Sequence, residues 1–310
     1  MGPDKWATLT TGRPWSAADW RDLGGAGRRL KRSPRVAGAG ASMTDIAQGF
    51  RDADGGMLQE LTHCLGVLND LPLFRSYKAR TWAALGVRDG DKVVDVACGT
   101  GFDVIEMAKR FPAAEIFGVD RSEGLLGAAR SRAQGLGNVR FLQANADRLP
   151  LQTDAFDGAR IDRALQHIED PRASLREMVR VTRPGGRIVA AEPDWGTFVL
   201  YNGAGAASAK MSEVWLRSFR NPFVGRELGV MLDECGVTDL QCEAHALATT
   251  DLACADAVFD LPRLCRNCVE AGVLTPQQAD LWRENALAVS EKGAFFAGVN
   301  ILTFHGTVSA

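Results

Sequence analysis

The chain has 310 residues, 46% hydrophobic and 24% charged, with a net charge of −2 at pH 7; that is enough for a sizeable core and leaves no basic excess for nucleic acid. No apolar run is long enough to span a bilayer, so a membrane is not an expected partner either. The seven cysteines are odd in number and irregularly spaced, and no apolar stretch follows the basic residues Arg28, Arg29, Lys31 and Arg32, so the chain reads as cytoplasmic rather than as a secreted disulfide scaffold.

Residues 1–42 are rich in Gly, Arg, Ala and Pro and lack apolar periodicity, which predicts a disordered extension before a domain over 43–310. Met43 to Leu85 is helical in pattern, broken near Gly55-Gly56 and Leu71-Pro72. From Lys92 onward strands alternate with helices. Strands are expected at Lys92–Ala97, Glu115–Val119, Val139–Gln143, Phe156–Ile161 and Arg187–Ala191, and helices at Phe102–Phe111, Ser122–Ala133 and Asp170 to about Thr182. The last opens on an Asp N-cap followed by Pro171, and Pro184-Gly185-Gly186 after it reads as a turn. Such alternation implies an α/β fold: a doubly wound, Rossmann-like, mostly parallel sheet with N-terminal helices. After Trp195 the rhythm changes. Ala204–Phe219 and Gly225–Cys235 read as helices and Leu240–Leu247 and Ile301–Val308 as strands, with a mainly helical insertion over Asp251–Phe295 that is expected to act as a cap.

The most informative stretch is Val93-Val94-Asp95-Val96-Ala97-Cys98-Gly99-Thr100-Gly101, where a strand gives way to a helix. Ligands of open α/β sheets bind at the carboxyl ends of strands, and small residues let the backbone approach them closely. A dinucleotide fingerprint would place a third glycine where Val104 stands. Asp95, two residues ahead of the small-residue run, favours a ligand carrying an ammonium group over one carrying pyrophosphate, and S-adenosylmethionine has such a group in its methionine part. The next strand ends in Gly118-Val119-Asp120, which suits ribose hydroxyls or a helix cap. The third leads into Gln143-Ala144-Asn145-Ala146-Asp147, where Asn145 can read an adenine edge or hold its own loop.

Taken in order, Asp-Val-Ala-Cys-Gly-Thr-Gly, Val-Asp, Gln-Ala-Asn-Ala-Asp, Phe-Asp and Arg-Pro-Gly-Gly resemble the class I methyltransferases that use S-adenosylmethionine. The likeness is strongest to the small-molecule branch of the ubiquinone and menaquinone biosynthesis type. The resemblance covers about residues 71–193, leaving 194–310 to shape the acceptor pocket. It implies that Asp95, Ala97, Gly99, Thr100 and Gly101 line the methionine end of the cofactor. Asp120 would hold the ribose with Arg121 beside it, Asn145 and Ala146 would meet the adenine, and Asp162 and Arg163 would sit by the sulfonium. Arg80 is a weaker candidate for the cofactor carboxylate.

Methyl transfer from a sulfonium is an in-line displacement in which positioning dominates, and a base is required only for an acceptor that must lose a proton. His167, just past the fourth strand, is the candidate base; the plainer alternative is a histidine packed on the following helix. Glu169 is a nearby carboxylate, and Asp170 is an N-cap. His63, Tyr77 and Tyr201 are candidates for the acceptor pocket, as are Trp195, Phe198, Trp215, Phe219, Phe223, Phe295 and Phe296, or the aromatics are core. Cys265 and Cys268 have metal-like spacing without a second pair, so no metal is expected. The expected activity is methylation of a small, apolar metabolite at O, N or C, a quinone-like molecule or a secondary metabolite. The alternatives are a cofactor-binding protein of the same fold without transfer, or a nicotinamide-dependent oxidoreductase. The oligomeric state is open.

Overall fold

The computed structural model describes residues 49–50, 53–54, 56–203 and 205–309. The expected extension over 1–42 and the start of the first helical stretch lie outside the described residues. Two helices, α1 (Leu58–Asp70) and α2 (Pro72–Leu85), lead into β1 (Lys92–Val96), α3 (Phe102–Arg110), β2 (Glu115–Asp120), α4 (Glu123–Arg132), β3 (Val139–Gln143), β4 (Phe156–Asp162) and α5 (Pro171–Val181). The long β5 (Thr182–Tyr201) is followed by α6 (Gly205–Leu216), α7 (Val224–Glu234) and β6 (Val237–Thr249). Three helices, α8 (Leu252–Phe259), α9 (Leu261–Glu270) and α10 (Pro276–Ser290), then precede β7 (Phe296–Val308).

The seven strands form one sheet in the order β3-β2-β1-β4-β5-β7-β6. β1 to β5 run parallel, and β7 pairs antiparallel with both β5 and β6. Chain order reverses between β1 and β4, so the crevice above their carboxyl ends is the natural ligand position. The inner strands are apolar on both faces, as helix-covered parallel strands must be: Val93, Val94, Val96, Ala159, Ile161 and Ile188 are all buried.

Local signals set several boundaries. Asp170 caps α5, its side chain accepting from Ala173 N at 2.9 Å, with Pro171 in the first turn. Ser122 caps α4 through Leu125 N at 3.1 Å. Thr275 and Gln278 form a reciprocal capping box on α10.

Several expected boundaries move. β1 stops at Val96 because Ala97 turns to φ 56°. β5 starts before the Pro184-Gly185-Gly186 turn, which survives as a register irregularity against β4, and it continues ten residues past the expected Ala191. Its pairing with β4 ends at Asp162–Ala191, and from Glu192 it pairs with β7 alone. Pro193, Gly196 and the bulge after Asp194 look like a strand end in sequence, yet they fit where the strand has become an edge. β6 and β7 are likewise longer than expected, so β5, β7 and β6 project beyond the parallel sheet. α8–α10 pack on that projection, sharing one apolar cluster with Trp195, Phe198, Trp215, Phe219, Phe295 and Ile301. Among the described residues no helix is long and apolar enough to cross a membrane.

Candidate active site

At the end of β1 the backbone turns through three left-handed residues, Ala97 (φ 56°), Gly99 (φ 54°) and Gly101 (φ 74°). Gly101 is the residue preceding α3, and a Cβ there would lie 2.8 Å from Ala129 Cβ, so both its backbone angle and its surroundings demand glycine. Ala97 holds a conformation disfavoured for a side-chain-bearing residue, a strain of the kind concentrated at ligand sites. The turn is tied to β2: Cys98 N donates to Val119 O at 3.0 Å, and Gly99 N to Asp120 Oδ2 at 2.8 Å. Asp120 Oδ1 accepts from Ser122 N at 2.9 Å. Burial raises the Asp120 pKa against the pull of these backbone donors. A carboxylate can accept about four hydrogen bonds, so two backbone donors leave capacity for hydroxyls.

These residues open onto a cavity of about 470 Å³, within the usual range for small-molecule sites. Asp95, Ala97, Gly99, Thr100, Asp120, Arg121, Asn145, Ala146, Asp162, Arg163 and His167 all line it. Gly101 does not; it shapes the turn from behind. Phe50 and Ala53 also line the cavity. Arg121 donates to Phe50 O at 2.9 Å. Asp54 accepts from Ser122 Oγ at 2.6 Å and from the first amides of α4, Glu123 N at 3.2 Å and Gly124 N at 3.1 Å. Those hydrogen bonds, the Ser122 hydroxyl first, lower the Asp54 pKa despite some desolvation.

Beneath the cavity is a charge network. Arg160, on β4 and 1% exposed, donates to Asp95 at 2.7 Å, Asp162 at 2.9 Å and Thr81 Oγ1 at 2.8 Å. Lys78 on α2 pairs with Asp103 on α3, which also accepts from Trp82 Nε1 at 3.2 Å. Tyr77 donates its hydroxyl to Asp162 at 3.1 Å. Asp95, expected to be available to a ligand ammonium, therefore lines the cavity while already paired. Burial pushes its pKa up to about 6 against the opposing Arg160. Asp103 is also desolvated, but Arg160 and then Lys78 hold it at about 2. For Arg160 itself, burial is outweighed by Asp103, Asp95 and Asp162, which raise its pKa.

His167, also lining the cavity, lies between the rings of Phe50 (5.2 Å) and Phe219 (5.8 Å). Its loop is fixed by Glu192, wholly buried on β5, whose Oε1 accepts from Ala164 N at 2.7 Å and Leu165 N at 2.6 Å. Gln166 donates to Arg163 O at 2.9 Å and accepts from Trp195 Nε1 at 2.7 Å. The expected aromatic acceptor wall is a closed cluster: Trp195 stacks on Phe219 at 4.4 Å with Trp215, Phe198 and Phe259 around them. None of these five rings lines the cavity, and neither does any residue of α8–α10. Phe295 is buried in the same cluster, whereas Phe223, Phe296, Tyr201 and His63 are exposed. Arg80 bonds Glu243 at 3.3 Å, outside the cavity, and Glu169 pairs with Arg220 at its rim, 3.3 Å away. Cys265 and Cys268 are buried in α9.

Several site residues escaped the sequence reading. Arg160 left one signal, a charge inside an otherwise apolar strand, which only a buried partner can explain. Lys78, Asp103 and Glu192 look like ordinary helix and strand polar residues, and Phe50 and Asp54 sit in a helical pattern just before its break at Gly55-Gly56 with nothing to mark them.

A family model described as a methyltransferase domain matches residues 88–221. The demethylmenaquinone methyltransferase of Staphylococcus aureus is 30% identical over 193 residues, covering 56% of this chain and 80% of that protein. An uncharacterized 37.1 kDa protein in transposon TN4556 of Streptomyces fradiae is 34% identical over 229 residues, 73% of this chain; the chain spans 65% of that protein's length. Among solved structures, the YcgJ protein from Bacillus subtilis superposes with a TM-score of 0.55 at 18% identity, covering 76% of this chain and 99% of that one, which shows a shared fold. With the strand order and the glycine turn at its reversal point, these matches mean that the chain belongs to the class I S-adenosylmethionine-dependent methyltransferases.

Proposed function

We propose that this protein transfers a methyl group from S-adenosylmethionine to a small, largely apolar metabolite. One observation carries the reading: the left-handed turn at 97–101, the Asp120 carboxylate and Asn145 converge on a single cavity at the strand-order reversal. The residues fit the donor. The turn presents backbone rather than side chains, Asp120 keeps acceptor capacity for ribose hydroxyls, Asn145 offers both a donor and an acceptor to adenine, and Asp95 and Asp162 put negative charge near a sulfonium and an ammonium. When bound, S-adenosylmethionine supplies a methyl group already activated by its sulfonium.

This chain's own contribution is then positioning and exclusion of water. Arg160 fixes the carboxylates of Asp95 and Asp162 so that neither can rotate away. Arg121 is tied to Phe50, which lines the cavity, and Asp54 to the start of α4. His167 faces the cavity beyond the donor residues, where it can take a proton from an acceptor that must lose one. The demethylmenaquinone methyltransferase likeness favours a quinone-like or phenolic acceptor, and Phe50, Leu65, Leu68 and Ile168 supply apolar contact for its body.

Calorimetric titration with S-adenosylhomocysteine, with NAD as control, tests the donor assignment. Micromolar binding of the former alone is expected; binding of NAD alone would overturn it. Incubation with labelled donor and a panel of small phenols and quinols should label the small molecule. Binding without any transfer would make this a cofactor-binding protein of the same fold.

A further inference from the structure

Resting on the reading above, we infer that the acceptor is bound through an oxyanion, a carboxylate or an acidic phenol or enol, and that Arg163 is the residue that holds it. Five cations line the cavity among the described residues: Lys78, Arg121, Arg160, Arg163 and Arg220. Four are committed: Lys78 to Asp103, Arg121 to Phe50 O, Arg160 to Asp95 and Asp162, Arg220 to Glu169. Arg163 alone of the five donates no guanidinium hydrogen bond to the protein among the described residues, and its Nε is buried. Its neighbour Asp162 is already taken by Arg160 and Tyr77. A guanidinium that lines a cavity with its Nε buried and unpaired and no hydrogen bonds to the described residues is placed to meet a ligand that supplies them.

Its backbone is specially held. Arg163 adopts φ 53°, a left-handed conformation unfavourable for a residue with a long side chain, and is kept there by its N–H donating to Ala191 O at 2.8 Å and by Gln166 donating to its carbonyl. The guanidinium lies 4.7 Å over the ring of Phe74. Phe74 belongs to the apolar cluster of the cap, and Gln166 ties the same loop to Trp195 of that cluster. Arg163 thus reaches the cavity beside Phe74 on α2 and from the loop after β4.

Among the described residues six carboxylates and five cations line the cavity, and the donor, with a sulfonium, an ammonium and a carboxylate, brings one net positive charge that balances them, so what favours an anion is local to Arg163. A cation pointed at the sulfonium, the role the family resemblance implies for Arg163, would be repulsive; pointed at an acceptor oxyanion it is attractive.

The test uses the full chain saturated with S-adenosylhomocysteine and measures binding of paired probes by calorimetry or ligand-observed magnetic resonance: benzoate against benzamide, and 4-nitrophenolate against 4-nitroanisole. Each anion should bind at least about tenfold more tightly than its neutral partner. Arg163→Gln should abolish that preference while changing affinity for S-adenosylhomocysteine less than about threefold, and Arg163→Lys should keep part of it. A preference for benzoate alone assigns a carboxylate acceptor, and for 4-nitrophenolate alone an ionised phenol. Equal binding of charged and neutral partners, or no binding of either anion, would overturn the inference. So would a Gln variant whose loss falls equally on S-adenosylhomocysteine, which would give Arg163 to the donor carboxylate. If S-adenosylhomocysteine does not bind at all, the donor reading fails separately, and the same anion pairs on the unloaded wild type and variants still decide the role of Arg163. Thermal melting of both variants checks that they are folded.

Discussion

Arg160 makes the cost of the site concrete at the scale of one residue. It is almost wholly inaccessible and satisfies two carboxylates and a threonine hydroxyl on three different elements. Removing one member of a buried ion cluster leaves the others desolvated and unpaired, which costs about 3–5 kcal/mol. Arg160→Met should therefore lower stability by that amount in a urea titration; an unchanged midpoint would mean the carboxylates find other partners. Asp120 is different, because its two backbone donors fix the carboxylate without using its full capacity. Asp120→Ala should leave the fold intact yet weaken S-adenosylhomocysteine binding by at least about tenfold, the loss expected of a charged acceptor meeting two hydroxyls.

At the scale of elements, the loop after β4 is held by Glu192 on β5. Burial pushes its pKa up to about 8 from an ordinary 4.5, against the pull of Leu165 N and Ala164 N, with Asp162 adding to the rise. Between those values the folded protein keeps a proton that the unfolded chain has released. Stability should therefore fall as pH rises across that window and level off above it, a change on the order of a few kcal/mol. Melting curves from pH 5 to 9 should slope downward for the wild type and flatten for Glu192→Gln; parallel curves would remove Glu192 as the cause. Asp54 completes the N-terminal amides of α4. Asp54→Ala should cost about 1 kcal/mol, as loss of a cap does, and should speed hydrogen exchange at the start of α4. The expected strand Arg187–Ala191 shows why an element's length can be hidden from its sequence. The residues that extend it, Pro193 and Gly196 among them, are poor strand formers that become acceptable only because β4 has ended beside them and β7 has not.

At the scale of the whole molecule, the projecting β5–β7–β6 ribbon and the helices on it form a second apolar body behind the site. Trp282 on α10 joins the two, donating to Ser208 Oγ on α6 at 3.0 Å while its carbonyl accepts from Asn202 at 3.1 Å. It is 2% exposed, so Trp282→Ala should cost about 3–5 kcal/mol and loosen α8–α10 in hydrogen exchange before the parallel sheet. Uniform loosening would instead make the cap and sheet one cooperative unit. Since α8–α10 do not line the cavity, they are connected to its lining loop through the aromatic cluster and the Gln166–Trp195 hydrogen bond rather than by contact.

The alternation of apolar strands with capped helices, the glycine turn after β1, and the acidic and amide residues after β2 and β3 were legible in the sequence, because each is a local consequence of period, capping or backbone freedom. Asp120, Asn145 and the 97–101 turn are local features of this kind, and all but Gly101 of the predicted site residues among them line the cavity. Which carboxylates would be paired, which arginine would be left without a hydrogen bond, and whether the aromatics would line the cavity or close on one another depended on residues far apart in the chain. Arg160 meets Thr81 and Asp95, Glu192 meets Ala164, and Trp195 meets Phe219, only after the sheet has assembled. Local pattern fixes what an element is; long-range desolvation, which no short stretch of sequence records, decides what its side chains must pair with.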